Sequence, residues 1–291
     1  LASLGSAVRT GAPGDPFRRS AWSRVATLLL VAYIVYACAQ LEISWERVET
    51  GLENASRFFS RLFPPDFTRW ELLLKGLAES LQIAVLASTI GIVLALPIGL
   101  AAARNLMPAW ATWPARFIIV ACRSFHPVIV AIVFVKAVGF GALAGILALT
   151  VASIGFIGKL FTEAIEEISL KQVEAIRATG ASFASVLAFG VLPQVFSRFI
   201  GFATYQLDSN LRNSTMVGIV GAGGIGGTLF AAFQRFDYDY VCAILIAIIS
   251  VIMAGELLAT AVRKIFIESL TLREIFGRGG AAVRVRPLED D

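Results

Sequence analysis

Charge is scarce in this sequence. Only 16% of its 291 residues are Asp, Glu, Lys or Arg, against 57% apolar, whereas a water-soluble chain carries about a quarter charged residues. The shortage argues against an ordinary soluble enzyme and makes lipid the expected solvent. Histidine is nearly absent: with one residue, His126, a multi-histidine metal centre is not on offer. Cysteine is sparse as well. Cys38, Cys122 and Cys242 each sit inside an apolar run without a short-range partner, which leaves neither a disulfide framework nor a Cys-x-x-Cys site. They read as small buried apolar side chains. The net charge of +4 does not imply nucleic acid; on so apolar a chain, position matters more than the total.

What the chain has is long apolar runs. A helix needs about 20 mainly apolar residues to cross the hydrocarbon core, because lipid offers the backbone no hydrogen-bond partner. Six stretches meet that length: 25–41, 79–104, 114–138, 137–158, 192–217 and 240–262. The third carries Arg123, His126 and Lys136, and the fifth Arg198, Asp208 and Arg212. Lys and Arg gather in both tails, 1–24 and 263–291, so both termini are expected in the cytoplasm. Six crossings then put 104–116 and 159–191 inside, and 42–70 and 218–239 outside. The 42–70 segment mixes Glu46, Glu49 and Glu53 with Arg47, Arg57 and Arg61. It predicts an amphipathic helix with Phe58, Phe59, Leu62 and Phe63 at the interface, ended by Pro64-Pro65. The first run is long enough to span and is expected to stay as an anchor rather than be cleaved.

Two motifs imitate nucleotide sites. Gly221-Ala-Gly223-Gly224-Ile-Gly226 matches GxGxxG, but a dinucleotide site needs an acidic residue ending the next strand about 20 residues on, and the next apolar run is long enough to be a membrane helix. Gly155-Phe-Ile-Gly158-Lys159-Leu160 imitates a phosphate loop, with Ser153 where the first glycine belongs and Leu160 where the Mg2+-binding hydroxyl belongs. No ATP binding is expected by that route.

Residues 170–193 are the most informative cytoplasmic segment. Glu174, Ala175, Arg177, Ala178 and Gly180 predict a short helix with a small-residue stop, outside the bilayer between two spans. It suits docking into a groove on another protein, or else it is an ordinary connector. Glu174-Ala175-Ile176, three residues, Gly180, nine residues, then Gly190-Val191-Leu192-Pro193 resembles the EAA loop of ATP-binding-cassette importer permeases. That pattern reads Glu-Ala-Ala, three residues, Gly, nine residues, Ile-x-Leu-Pro; Ile176 and Gly190 depart from it. Arg123-Ser-Phe-His-Pro, Glu163-Ala-Ile-Glu166, Arg212-Asn-Ser-Thr and the glycine motif narrow the resemblance to the phosphonate-type permeases, which include phosphite and phosphate transporters. It covers about 70–266.

The resemblance implies an all-α membrane protein with the type I ABC importer permease fold. It also implies a homodimer with the pathway at its seam, an external solute-binding protein, and two cytoplasmic ATPase subunits that hold the ATP and Mg2+. No cofactor is expected in this chain, and the permease itself is expected to be a transport subunit rather than an enzyme. Glu174, Ala175, Arg177, Ala178 and Gly180 would form the coupling helix seated on the ATPase.

Other candidates come from charge and polarity within the spans, since such residues are costly and face protein or a wet cavity. Asp208 and Arg212 are four apart and can pair; with Asn213, Ser214 and Thr215 they either line the pathway or glue helices together. Arg123 either attracts anions or holds a kink before Pro127, and His126 reads as a structural hydrogen bonder. Gly221, Gly223, Gly224 and Gly226 predict a re-entrant turn or gate at the external mouth, or a plain hairpin, whose successive N–H groups could favour an anion. An importer of another small solute, or an ion-coupled transporter using Asp208, Arg212 and Glu256, remains the alternative.

Overall fold

A computed structural model describes residues 21–40 and 44–279, with backbone alone at 21, 262–263 and 265–279. The tail expected at 1–24 therefore lies outside the described residues but for its last four, as do positions 280–291 of the other. The described residues are helical, without strands. They fall into two units, 1–60 and 61–291.

In the first unit, α1 (Ala21–Gln40) is 20 residues long, about 30 Å at 1.5 Å per residue, and suffices to span. Its apolar side chains, from Leu28 to Tyr36, are mostly exposed, as suits a lipid-facing helix. The expected amphipathic helix follows as α2 (Trp45–Leu62), with Glu46 in its first turn and Arg61 in its last, both favourable to the helix dipole. It stops before Pro64-Pro65, as its sequence predicts.

The second unit is a bundle built around α6. Its elements are α3 (Trp70–Ala102), α4 (Ala109–Ser124), α5 (Pro127–Val138), α6 (Ala142–Glu166), α7 (Leu170–Ala178), α8 (Phe183–Val186), a π-helical turn (Leu187–Val191), α9 (Leu192–Ile219), α10 (Ile225–Gln234) and α11 (Tyr238–Gly279). Among the described residues, four helical stretches of this unit and α1 of the first are long and apolar enough to cross a membrane, and the bent pair α4 and α5 makes a sixth if counted as one span.

Several boundaries differ from expectation: α3 starts at Trp70 rather than 79, and α11 runs to Gly279 rather than 262. The run 114–138 is not one helix: α4 and α5 meet at 92°. Proline after His126 bars that residue from the helical region and brings no N–H. His126 is extended accordingly, and its Nδ1 accepts from the Val128 N–H at 3.3 Å, capping α5. The run 137–158 begins later and ends later, because Gly139 and Gly141 turn the chain with φ of 91° and 128° and α6 continues to Glu166. The segment 218–239, expected outside, contains a helix, α10, that the glycine-rich sequence did not announce. A smaller surprise precedes α9. Pro193 offers no N–H to the carbonyl of Phe189, and the turn widens to π there.

Small residues set the closest approaches. A Cβ on Gly91 would lie 2.3 Å from Ser153 Cβ, and one on Gly99 3.0 Å from Phe161; these positions let α3 lie against α6. A buried polar cluster ties α3, α6 and α9 together. Asn210 Nδ2 donates to Ser88 Oγ (2.9 Å) and Ser153 Oγ (2.8 Å), and Gln206 Nε2 donates to Ser153 Oγ (2.9 Å) and Asn210 Oδ1 (3.0 Å). Each such bond inside a membrane bundle contributes roughly 0.6 kcal/mol.

Loops sort to two ends. At one, Glu166 Oε1 accepts from the Arg104 N–H at 2.9 Å and from Arg116 at 2.6 Å, beside α7. At the other, the Gly141 N–H donates to Gly221 O at 3.0 Å and the Asp66 N–H to Asp239 O at 3.1 Å. There Arg69 lies 3.9 Å above the Tyr240 ring and 3.2 Å from Asp237. Thr68, through its hydroxyl and then its N–H, holds the Asp66 carboxyl below the usual range.

Candidate translocation and coupling sites

Helix α9 divides its polar residues between two faces. Gln206, Asn210 and Ser214 are buried, the first two in the cluster above and Ser214 with its hydroxyl on Leu211 O at 2.8 Å. On the open side lie Tyr205, Ser209, Arg212, Asn213 and Met216, with Asn213 Nδ2 donating to Ser209 Oγ at 3.4 Å. Tyr205 stacks on Phe156 of α6 at 5.5 Å, which makes the open faces of α6 and α9 continuous. Asp208 and Arg212 form the expected pair, Oδ2 to Nη1 at 2.6 Å, with the carboxylate 11% exposed and the guanidinium 43%. Asp208 Oδ1 is buried without a partner, beside an apolar cleft of about 230 Å3 formed with Leu81, Leu211 and Leu258. Thus Ser214 is buried with its hydroxyl bonded within α9, Thr215 lies half-buried against α10, Arg212 is exposed and Asn213 half-buried.

The glycine motif makes a tight turn against α3 and α6. Gly221, Gly223 and Gly224 have φ of 88°, 81° and 81°, the region that glycine enters at least cost. A Cβ on Gly226 would lie 1.9 Å from Thr215 O, and one on Gly224 2.4 Å from Ser80 Oγ. Ser80 Oγ accepts from the Ile225 N–H at 2.9 Å. Glu79 stands beside the turn, its Oε1 2.8 Å from where a Gly223 Cβ would be. The N–H groups of Gly221, Ala222 and Ile225 already donate to Gly218 O, Val217 O and Ser80 Oγ, which with the nearby carboxylate leaves the turn a poor seat for an anion.

Arg123 sits in the last turn of α4, just before the break, and is exposed. Neither Arg123 nor His126 approaches Arg212 through any hydrogen bond or ion pair among the described residues. Sequence reasoning passed over the groove beside Arg123, where Arg116, Lys159, Glu163 and Glu166 gather. The i, i+4 spacing of Lys159 and Glu163 was the available signal.

The coupling segment forms the expected helix, α7. Its motif residues face outward: Glu174, Ala175, Arg177, Ala178 and Gly180 are all exposed, while Val173 is buried and Ile176 half-buried. Those two pack with Val186, Val191 and Val195. Gly180 has φ of 76° and open space around it, so the backbone conformation, and not crowding, demands glycine there. Gln194 anchors the loop, donating to Gly190 O at 2.6 Å and accepting from the Ser169 N–H at 3.0 Å. The two departures from the EAA pattern touch: a Cβ on Gly190 would be 3.2 Å from Ile176 Cδ1. The larger residue at 176 occupies space that the smaller one at 190 vacates.

A multi-span helical bundle with a polar open face and a short helix presented at one end is the architecture of a membrane permease. The chain belongs to the family of binding-protein-dependent transport system inner membrane components, whose model matches residues 95–271. The phosphite transport system permease protein PtxC of Stutzerimonas stutzeri is 39% identical over 217 residues, 74% of this chain and 79% of that one. The phosphate-import permease protein PhnE of Mycolicibacterium smegmatis is 39% identical over 237 residues, 81% of this chain but 44% of that longer one. Among solved structures, an inward-facing MetNI methionine ABC transporter superposes with a TM-score of 0.59 at 24% identity, covering 68% of this chain and 98% of that one. The all-α type I importer permease fold expected from the sequence is therefore the fold observed, and the resemblance to phosphonate-type permeases holds. The protein is a transport component of the inner membrane that crosses it several times.

Proposed function

We propose that this permease carries phosphorus oxyanions, phosphonate, phosphite or phosphate, for an ATP-driven importer. Two copies form the pathway at their seam. An external binding protein delivers the solute, two ATPase subunits bind ATP and Mg2+ on the cytoplasmic side, and both termini lie on that side. The observation that carries the coupling role is the orientation of α7: its motif residues point away from the bundle while Val173 and Ile176 bind it to the cluster beneath α6 and α9. Closure of the ATPases moves α7, and α9 follows through Gln194 and the π turn. Arg212 and Asn213, on the open face of α9, replace part of an oxyanion's hydration shell during passage. The named activities of the relatives support the substrate class.

The test is uptake of radiolabelled phosphite, phosphate and methylphosphonate into vesicles holding the permease with its ATPase and binding protein. ATP-dependent uptake of at least one is expected, and Arg212→Ala should lower it with the complex still assembled. Uptake driven by an ion gradient without the ATPase, or ATP-driven uptake of an unrelated solute alone, would overturn the reading.

A further inference from the structure

Between α4 and α6 runs an open groove of about 420 Å3, lined by Arg116, Arg123, Ser124, Lys159, Glu163 and Glu166 among others. So many charges within spanning helices need water or partners. Four of them have each other: Arg116 pairs with Glu166 at 2.6 Å and Lys159 with Glu163 at 2.6 Å. Arg123 has no carboxylate partner among the described residues, so the groove keeps one uncompensated positive charge. Its stem is held from below. A Cβ on Gly155 of α6 would lie 2.7 Å from Arg123 Cγ, which means that the arginine rests directly on the α6 backbone. Gly158 receives Ile119 in the same way, at 3.2 Å.

The charges also form a sequence in space. Arg116 and Arg123 are seven residues apart on α4, about 10 Å along its axis. Arg116 with Glu166 marks the end that bears α7, Lys159 with Glu163 stands one turn further in on α6, and Arg123 lies at the α4–α5 break. We propose that this groove is a water-filled lane that holds a phosphorus oxyanion, anchored by the Arg123 guanidinium, with Lys159 and then Arg116 trading their carboxylates for it toward the α7 end. This rests on the oxyanion reading above. The planar guanidinium fork matches two oxygens of a tetrahedral oxyanion. Ser124 Oγ gives its one proton to Val120 O at 2.8 Å, so it can donate to the ligand only by exchanging that bond. An anionic lipid headgroup presents the same phosphate chemistry, and the experiment separates the two sources.

The measurement is retention of radiolabelled phosphate by the permease–ATPase complex in phosphatidylcholine nanodiscs, without binding protein. Arg123→Gln should weaken retention about tenfold, Arg123→Lys less, and Gly155→Ala, which pushes the arginine off α6, by several-fold. Arg57→Gln on α2 should leave it unchanged. Co-purification of the ATPase at the wild-type ratio checks that each variant is folded. In phosphatidylglycerol discs, loss of phosphate retention together with Arg123-dependent lipid co-purification assigns the groove to headgroups; undiminished retention assigns it to the free oxyanion. Equal phosphate retention and equal lipid co-purification in wild type and Arg123→Gln overturns the proposal. Arg123-dependent retention in an importer that takes up none of the oxyanions would instead sink the functional reading and leave the groove standing.

Discussion

The glycine turn and the coupling loop lie at opposite ends of α9, and both carry recognisable motifs, yet the motif residues behave in opposite ways. At the turn they face inward. Gly224 lies against Ser80, Gly226 against Thr215, and the chain reverses into α10 only because nothing projects from these positions. At the coupling loop the motif residues face outward, and the packing is done by the residues between them, Val173 and Ile176. The first motif serves this chain's own fold. The second leaves its side chains on the surface, where the docking proposed above would use them.

That contrast can be broken at either end. The largest effect on stability should come from Gly226→Ala, which sets a Cβ 1.9 Å from a backbone oxygen and should cost about 3 kcal/mol or more; an unchanged melting temperature in detergent would show that the turn relaxes freely. Next comes the touching pair. Gly190→Ile alone should cost about 2 kcal/mol by overpacking, Ile176→Ala alone about as much by leaving a cavity, and the double variant should recover at least about 1 kcal/mol of their sum. Strictly additive costs would mean that the two positions do not share space. Smallest in stability is Glu174→Arg. It should leave the melting temperature where it was while ATPase co-purification and ATP-driven uptake fall, and a variant that melts early would place Glu174 in the fold instead.

Much of this was legible in the chain itself. Apolar run length anticipated the long apolar helices among the described residues, since lipid leaves the backbone few alternatives, and the segment from Glu174 to Pro193 anticipated helix α7. The sharp break between α4 and α5 was only half legible. Pro127 announces a kink, but its angle depends on how α5 packs against α6 through Ala131 and Val135. Helix α10 stayed hidden because Gly226 and Gly227 lower helix propensity, which close packing on α9 overrides. The division of α9 into a gluing face and an open face was not readable either. Asn210 and Asn213 are the same residue type three positions apart, and only the neighbours Ser88 and Ser153 tell them apart.

The contact between Ile176 and Gly190 limits how modular this transporter can be. Replacing α7 by a helix that carries the Glu-Ala-Ala pattern would set an alanine at 176 and leave it facing Gly190. A functional chimera must therefore take its splice point beyond Pro193, carrying both halves of the exchanged pair into the new host.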